Sequence, residues 1–139
     1  MTVTVKMIIE KTTSETDIMD ITPKVVSNVK DSEVLNGFVI LFVPGSTAAL
    51  TTIEFEIGAV NDLKKAISRM VPRDTYYEHN ERWGDGNGYS HLRASLVGPS
   101  LSIPIINGAL SLGTWQQVVL LDFDNRPRER KIIQQIIGA

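Results

Sequence analysis

His79 and His91 are the only histidines among 139 residues, and they bracket the most polar, glycine-punctuated stretch of the chain. That stretch holds Glu78, Asn80, Glu81, Asp85 and Asn87, with Tyr76, Tyr77, Trp83 and Tyr89 as its aromatics. Imidazoles and carboxylates together can move protons or bind a cation, so chemistry is expected here first. Two imidazoles with Asp85 make a sensible ligand set for a divalent ion such as zinc, with positions left for water or substrate. The bland alternative is two surface loop histidines beside a turn whose Asp and glycines serve only geometry. Twelve positions separate the pair, which is not the spacing of a helical ligand pair, so loop geometry would have to bring them together.

Three further segments carry polar groups in suggestive places. Ser46 and Thr47 follow Pro44-Gly45 and offer hydroxyls and backbone N–H groups to an anion, or simply make a turn. Gln116 lies in Gly113-Thr-Trp-Gln-Gln117, inside an otherwise apolar run, where a buried amide left unpaired costs about 1–3 kcal/mol. It faces either a pocket walled by Trp115 or an edge or subunit interface. Arg126, Arg128 and Arg130 alternate, so an extended backbone puts them on one face, as a phosphate clamp or as a solvated edge. Gly84-Asp-Gly-Asn-Gly88 matches neither a phosphate-binding P-loop nor an EF-hand, lacking the Lys-Ser/Thr of the first and the spaced acids of the second.

Composition narrows the classes. Zero cysteines exclude disulfides, thiolate nucleophiles and sulfur-ligated metals. A net charge of −2 argues against a nucleic-acid partner. The longest apolar run, Phe38 to Pro44, is too short to span a membrane, and the alternating amino terminus has no signal-peptide pattern. The cytoplasm is therefore the expected location.

The elements that must position these residues read as follows. Residues 2–11 and 17–21 are strands, and Thr22-Pro23 opens a helix with Thr as N-cap that fades near Ser32. Phe38–Val43 is a buried strand, and 46–55 a second extended segment. Helical spacing runs from Asn61 to Met70, a polar loop from Arg73 to Ser90, and Leu92–Val97 is a short helix or strand. Strands at 101–106, 110–123 and 131–137 complete the chain, with Asn107-Gly108 as a hairpin turn. This order predicts one α+β domain over 1–139, with largely antiparallel, sandwich-like sheets and two covering helices.

Taken together, Tyr77-Glu-His79, Ser90-His91-Leu-Arg-Ala-Ser95-Leu, Gly98-Pro-Ser100 and Leu112-Gly-Thr-Trp-Gln-Gln117 resemble the YjbQ-like family of secondary thiamine-phosphate synthase-like proteins. Pro44-Gly-Ser-Thr-Ala-Ala-Leu-Thr51 with Glu54 fits as well. The resemblance implies a homotrimer with a metal or anion site around the histidines. It also implies a weak, secondary activity joining hydroxymethylpyrimidine diphosphate to thiazole phosphate. On that reading His79, His91 and Glu54 are catalytic, and His79, His91 and Asp85 hold zinc, magnesium or manganese. Ser46, Thr47, Arg93, Gln116 and Arg128 would bind the phosphorylated metabolite. A non-catalytic trimer that binds a metabolite or anion is the rival expectation. One departure is visible: many members carry a histidine where this chain has Gly45.

Overall fold

The alternation at the amino terminus folds as read. In the computed structural model, which describes residues Met1–Ala139, β1 (Thr2–Lys11) pairs antiparallel with the last strand, β8 (Glu129–Gly138). β2 (Asp17–Asp20) leads into α1 (Thr22–Ser32), then β3 (Gly37–Phe42), β4 (Ala48–Ile53) and α2 (Ile57–Met70). Two short helices follow, α3 (Glu78–Trp83) and α4 (Gly88–Val97), then β5 (Ser100–Ile106), β6 (Ala109–Leu110) and β7 (Gln117–Asp122). The strands form a five-stranded sheet, β1-β8-β3-β5-β6, and a three-stranded sheet, β2-β7-β4, with every pairing antiparallel.

The two sheets pack face to face, as in a sandwich. Ile8, Ile132, Ile136, Val39, Leu41 and Ile103 from the large sheet meet Leu50, Val118 and Leu120 from the small one, and Val25 and Val29 of α1 close the end. A second apolar layer lies on the opposite face of the small sheet. There Ala49, Val119, Leu121 and Phe123 pack against Ile67 of α2 and Ala94 of α4. Because side chains alternate along a strand, β7 supplies both layers, and its five residues from Val118 onward are all buried. No helix is long and apolar enough to cross a membrane.

Several expectations need correction. The polar loop contains α3 and the start of α4, so the helices number four and not two. The run 110–123 is not one strand: it breaks between β6 and β7. α2 begins at Ile57 rather than Asn61, because the Glu56 carboxylate accepts from the Gly58 and Ala59 amides and caps the helix. Thr22 makes no side-chain cap; its hydroxyl instead accepts from the Val118 amide at 2.8 Å and pins α1 to β7. β3 is buried on one face only, since Phe38 and Phe42 stand on the outer face of the large sheet.

Candidate functional site

Helices α3 and α4, not loops, carry the two histidines. The α3 segment, Glu-His-Asn-Glu-Arg-Trp, has no apolar stripe and buries no residue, so its stability comes from its ends. Glu78 and Glu81 in its first turn favour the positive end of the helix dipole. Gly84 stops it in the left-handed region at φ 70°, where glycine carries no steric penalty. Asn80 Oδ1 then accepts from the Gly88 amide at 2.8 Å and ties α3 to the first residue of α4. Gly88 must be small, because a Cβ there would lie 2.7 Å from the Tyr77 Cβ.

This junction brings the imidazoles together, with ring centroids 4.3 Å apart and planes tilted by 41°. His79 Nδ1 lies 3.6 Å from Asp85 Oδ1, beyond hydrogen-bonding distance, and is buried without any hydrogen-bond partner. Burial, and secondarily the neighbouring His79, hold the His91 pKa below its ordinary 6.5, against a smaller opposing pull from Asp85 and Asp124. Asn87 immediately precedes α4, and its side chain makes no cap to the helix. With its amide nitrogen turned toward acceptors, it donates to the Asp85 carboxylate at 2.9 and 3.2 Å.

The pair opens into a hollow of about 400 Å³ lined by Gly45, Ser46, Thr47, Asp85, Arg128 and Arg130. Its floor is a buried ionic network. Arg130 Nε and Nη2 donate to Asp122 at 3.0 and 2.9 Å, Arg128 Nε donates to Asp124 Oδ2 at 2.8 Å, and Arg128 Nη2 forms an ion pair with the same oxygen at 2.7 Å. Thr47 Oγ1 joins them, donating to Asp124 at 3.1 Å and accepting from Arg130 Nη2 at 2.7 Å. Thr12 Oγ1 completes Asp122 at 2.6 Å. Burial alone would raise the Asp124 pKa, but the hydrogen bonds from Arg128 and the Asn125 amide outweigh it and hold it below the usual 3.8. Both arginines are thus matched by buried carboxylates. With Asp85 added, the hollow has two fixed cations against three carboxylates.

Of the residues expected at the site, the structure gathers His79, His91, Asp85, Ser46, Thr47 and Arg128 at one hollow. Three others lie elsewhere. Arg93 is buried on the far face of α4. Gln116 is exposed, donating to Thr52 Oγ1 at 3.0 Å and accepting from the Gly113 amide, and Trp115 beside it is exposed too. Glu54 is exposed just after β4 and lines none of these cavities. Arg130 was expected only as part of the alternating arginine run, and Asp122 and Asp124 were missed, because Gln117–Phe123 reads as one apolar run and nothing in it marks the acids at its end as partners for arginines.

The comparisons agree along almost the whole chain. The sequence profile of the family described as UPF0047 protein YjbQ-like matches residues 6–139. The chain belongs to the YjbQ-like family. A UPF0047 protein of Archaeoglobus fulgidus is 37% identical over 123 residues, covering 88% of this YjbQ-like chain and 93% of its own length. The UPF0047 protein YugU of Bacillus subtilis is 33% identical over 129 residues, covering 92% and 95%. Among solved structures, a Sulfolobus solfataricus protein described as being of unknown function superposes with a TM-score of 0.89 at 30% identity, covering 99% of this chain and 100% of that one. A Clostridium acetobutylicum member gives 0.86 at 34%, covering 95% and 99%. The YjbQ-like fold of this chain is therefore the α+β arrangement described above.

Proposed function

We propose that the His79–His91 hollow binds a small phosphorylated metabolite and supports a weak transfer of the thiamine-phosphate synthase kind, in which diphosphate leaves hydroxymethylpyrimidine diphosphate and the thiazole phosphate nitrogen takes its place. The observation that carries this reading is the meeting of two imidazoles at one hollow with Arg128 and the exposed Ser46 hydroxyl. Ser46 and Arg128 hold phosphate oxygens, while His91 orients the second substrate so that its ring nitrogen faces the carbon that diphosphate leaves.

Charge sets a condition on this reading. A hollow with two cations and three carboxylates repels a diphosphate unless positive charge is added. The unpartnered Nδ1 of His79 beside Asp85 suits a divalent ion, although no three His, Asp or Glu side chains stand ready as a compact ligand cluster. His79, His91 and Asp85 are the residues that would hold zinc, magnesium or manganese. Bound there, the ion supplies a Lewis acid that stabilises charge on a departing diphosphate.

The rival reading is a binder without turnover, and the pairing of Arg128 and Arg130 with buried aspartates favours it, because both cations are already engaged. Thiamine phosphate formation in the wild type and in His91→Ala separates the two. A rate lost in the variant supports transfer, and equal background rates in both remove it. Elemental analysis of the purified protein tests the ion directly.

The homotrimer is proposed on the outer face of the large sheet. Register places Val3, Ile137, Phe38 and Pro104 in one row across four strands, and Met7, Ile133 and Phe42 in another. Val3, Val5, Met7, Ile9, Phe38 and Phe42 are all exposed there. A continuous apolar sheet face of this kind marks an association surface. Copies of this chain are the occupants proposed for it.

A further inference from the structure

Helix α4 has two working faces. His91 points toward α3, while Tyr89 and Arg93, four residues apart, share the opposite side. On that side lies a separate hollow of about 550 Å³, lined by Glu15, Lys64, Ser68, Arg73, Asp74 and Arg93 and containing no hydrophobic residue. We propose that it is a second ligand site, built for the tetrahedral oxyanion of a phosphate group and independent of the histidine pair.

The argument starts with Arg93, a guanidinium only 3% exposed and held in a fixed position. Its Nε donates to the Val71 carbonyl at 3.0 Å, and its Nη1 reaches Thr16 Oγ1 at 3.3 Å and Glu15 Oε2 at 3.5 Å. Nη2 makes no protein hydrogen bond, so one preplaced donor edge remains at the cavity wall. Glu15 is shared with Arg73, whose Nη1 also donates to it. Lys64 Nζ and Ser68 Oγ, one helical turn apart on α2, have no partner at all. Beneath both arginines lies the Tyr89 ring, 4.8 Å from the Arg93 guanidinium and 5.5 Å from that of Arg73. Its hydroxyl is wholly buried and unpaired.

Charge separates this cavity from the histidine hollow. Here three cations face two carboxylates, and Glu15 is already taken up by two guanidiniums, leaving Asp74 as the single opposing acid. An anion is therefore attracted without any added ion. The unused donors approach from different elements: an arginine edge from α4, and an ammonium and a hydroxyl from α2. Arg93 has spent the rest of its fork, so it cannot grip a planar carboxylate in the usual two-bond manner. Single donors converging from several directions suit the oxygens of a phosphate.

Titration of inorganic phosphate into nitrogen-15-labelled protein, with acetate as comparator, tests this. Phosphate should shift the resonances of Lys64, Ser68, Arg73 and the Arg93 Nε–H in a saturable way, and more tightly than acetate does. Lys64→Gln should raise the phosphate Kd about tenfold or more, the usual loss for one charged donor. Ser68→Ala should raise it less, and both positions reach solvent, so an unchanged urea midpoint confirms folding. The double variant His79→Ala/His91→Ala should leave this Kd as it is. Shifts confined to Ser46, Thr47 and the histidines would overturn the second site while sparing the first. Shifts confined to Lys64 and its neighbours would do the reverse. Lys64→Gln binding as tightly as wild type, or acetate matching phosphate, would overturn the proposal.

Discussion

His79 and His91 stand with ring centroids 4.3 Å apart because Asn80, on the same helix as the first, accepts the amide of Gly88 that starts the helix of the second. One side-chain hydrogen bond thereby fixes the angle at which α3 meets α4. Removing it in Asn80→Ala is expected to loosen the pair without touching either ring. Loss of the histidine–histidine proximity is the outcome to look for by NMR, as lost cross-relaxation between the two rings together with a partial rise of the His91 pKa, the larger lowering by burial remaining.

The His91 shift has a consequence for acid stability. Its folded pKa lies below the unfolded one, so below about pH 6.5 the unfolded chain binds the proton first. The stabilisation is complete above that value and is lost as pH falls toward the folded pKa. Urea midpoints measured between about pH 7 and about pH 5 should therefore decline, and His91→Gln should flatten the decline.

Arg130→Met should be among the most damaging single changes. It leaves the buried Asp122 carboxylate with Thr12 and the Asp124 amide as its partners, and breaking a buried ion pair costs about 3–5 kcal/mol. Arg126→Ala, at an exposed position in the same basic run, should stay within about 0.5 kcal/mol of wild type. Comparing the two in urea shows whether the network or the run of charge matters.

Gly45 holds φ at 119°, and a Cβ there would sit 3.2 Å from Arg130 Nη1. Gly45→Ala is expected to cost about 1–3 kcal/mol from backbone strain. Gly45→His, which installs a third imidazole beside the hollow, meets the same strain. Its melting temperature should fall, and zinc titrated by calorimetry should recover part of that loss only if the third imidazole reaches the other two.

Charges placed on the outer sheet face should dissociate the proposed trimer. Met7→Glu and Phe42→Glu put carboxylates into one row, on either side of Ile133. Light scattering should move from three chains of 15.4 kDa to one. An unchanged mass in both variants would place the interface elsewhere.

Much of the scaffold was legible in the chain. Period-two alternation located β1, Asn107-Gly108 marked the β5–β6 turn with both residues at positive φ, and of the three valines read as the apolar face of α1, Val25 and Val29 are buried while Val26 is exposed. These signals are local, because a strand or helix writes its own period into its residues. The histidine pair and Asp85 were equally visible, as rare residue types crowded into one polar stretch. α3 was not, since a six-residue helix held by its ends carries no apolar repeat.

The chain alone established the YjbQ-like character, the antiparallel α+β plan and the neighbourhood of the histidines. Only the tertiary structure decided which charges meet. Arg128 and Arg130 lie near the end of the chain, Thr12 near its start and Thr47 between them, yet all converge on Asp122 and Asp124. Arg93, two residues from His91, was turned away to a different cavity. Adjacent positions on a helix project in different directions, and antiparallel pairing joins strands far apart in sequence, so a site's net charge is a property of the folded chain.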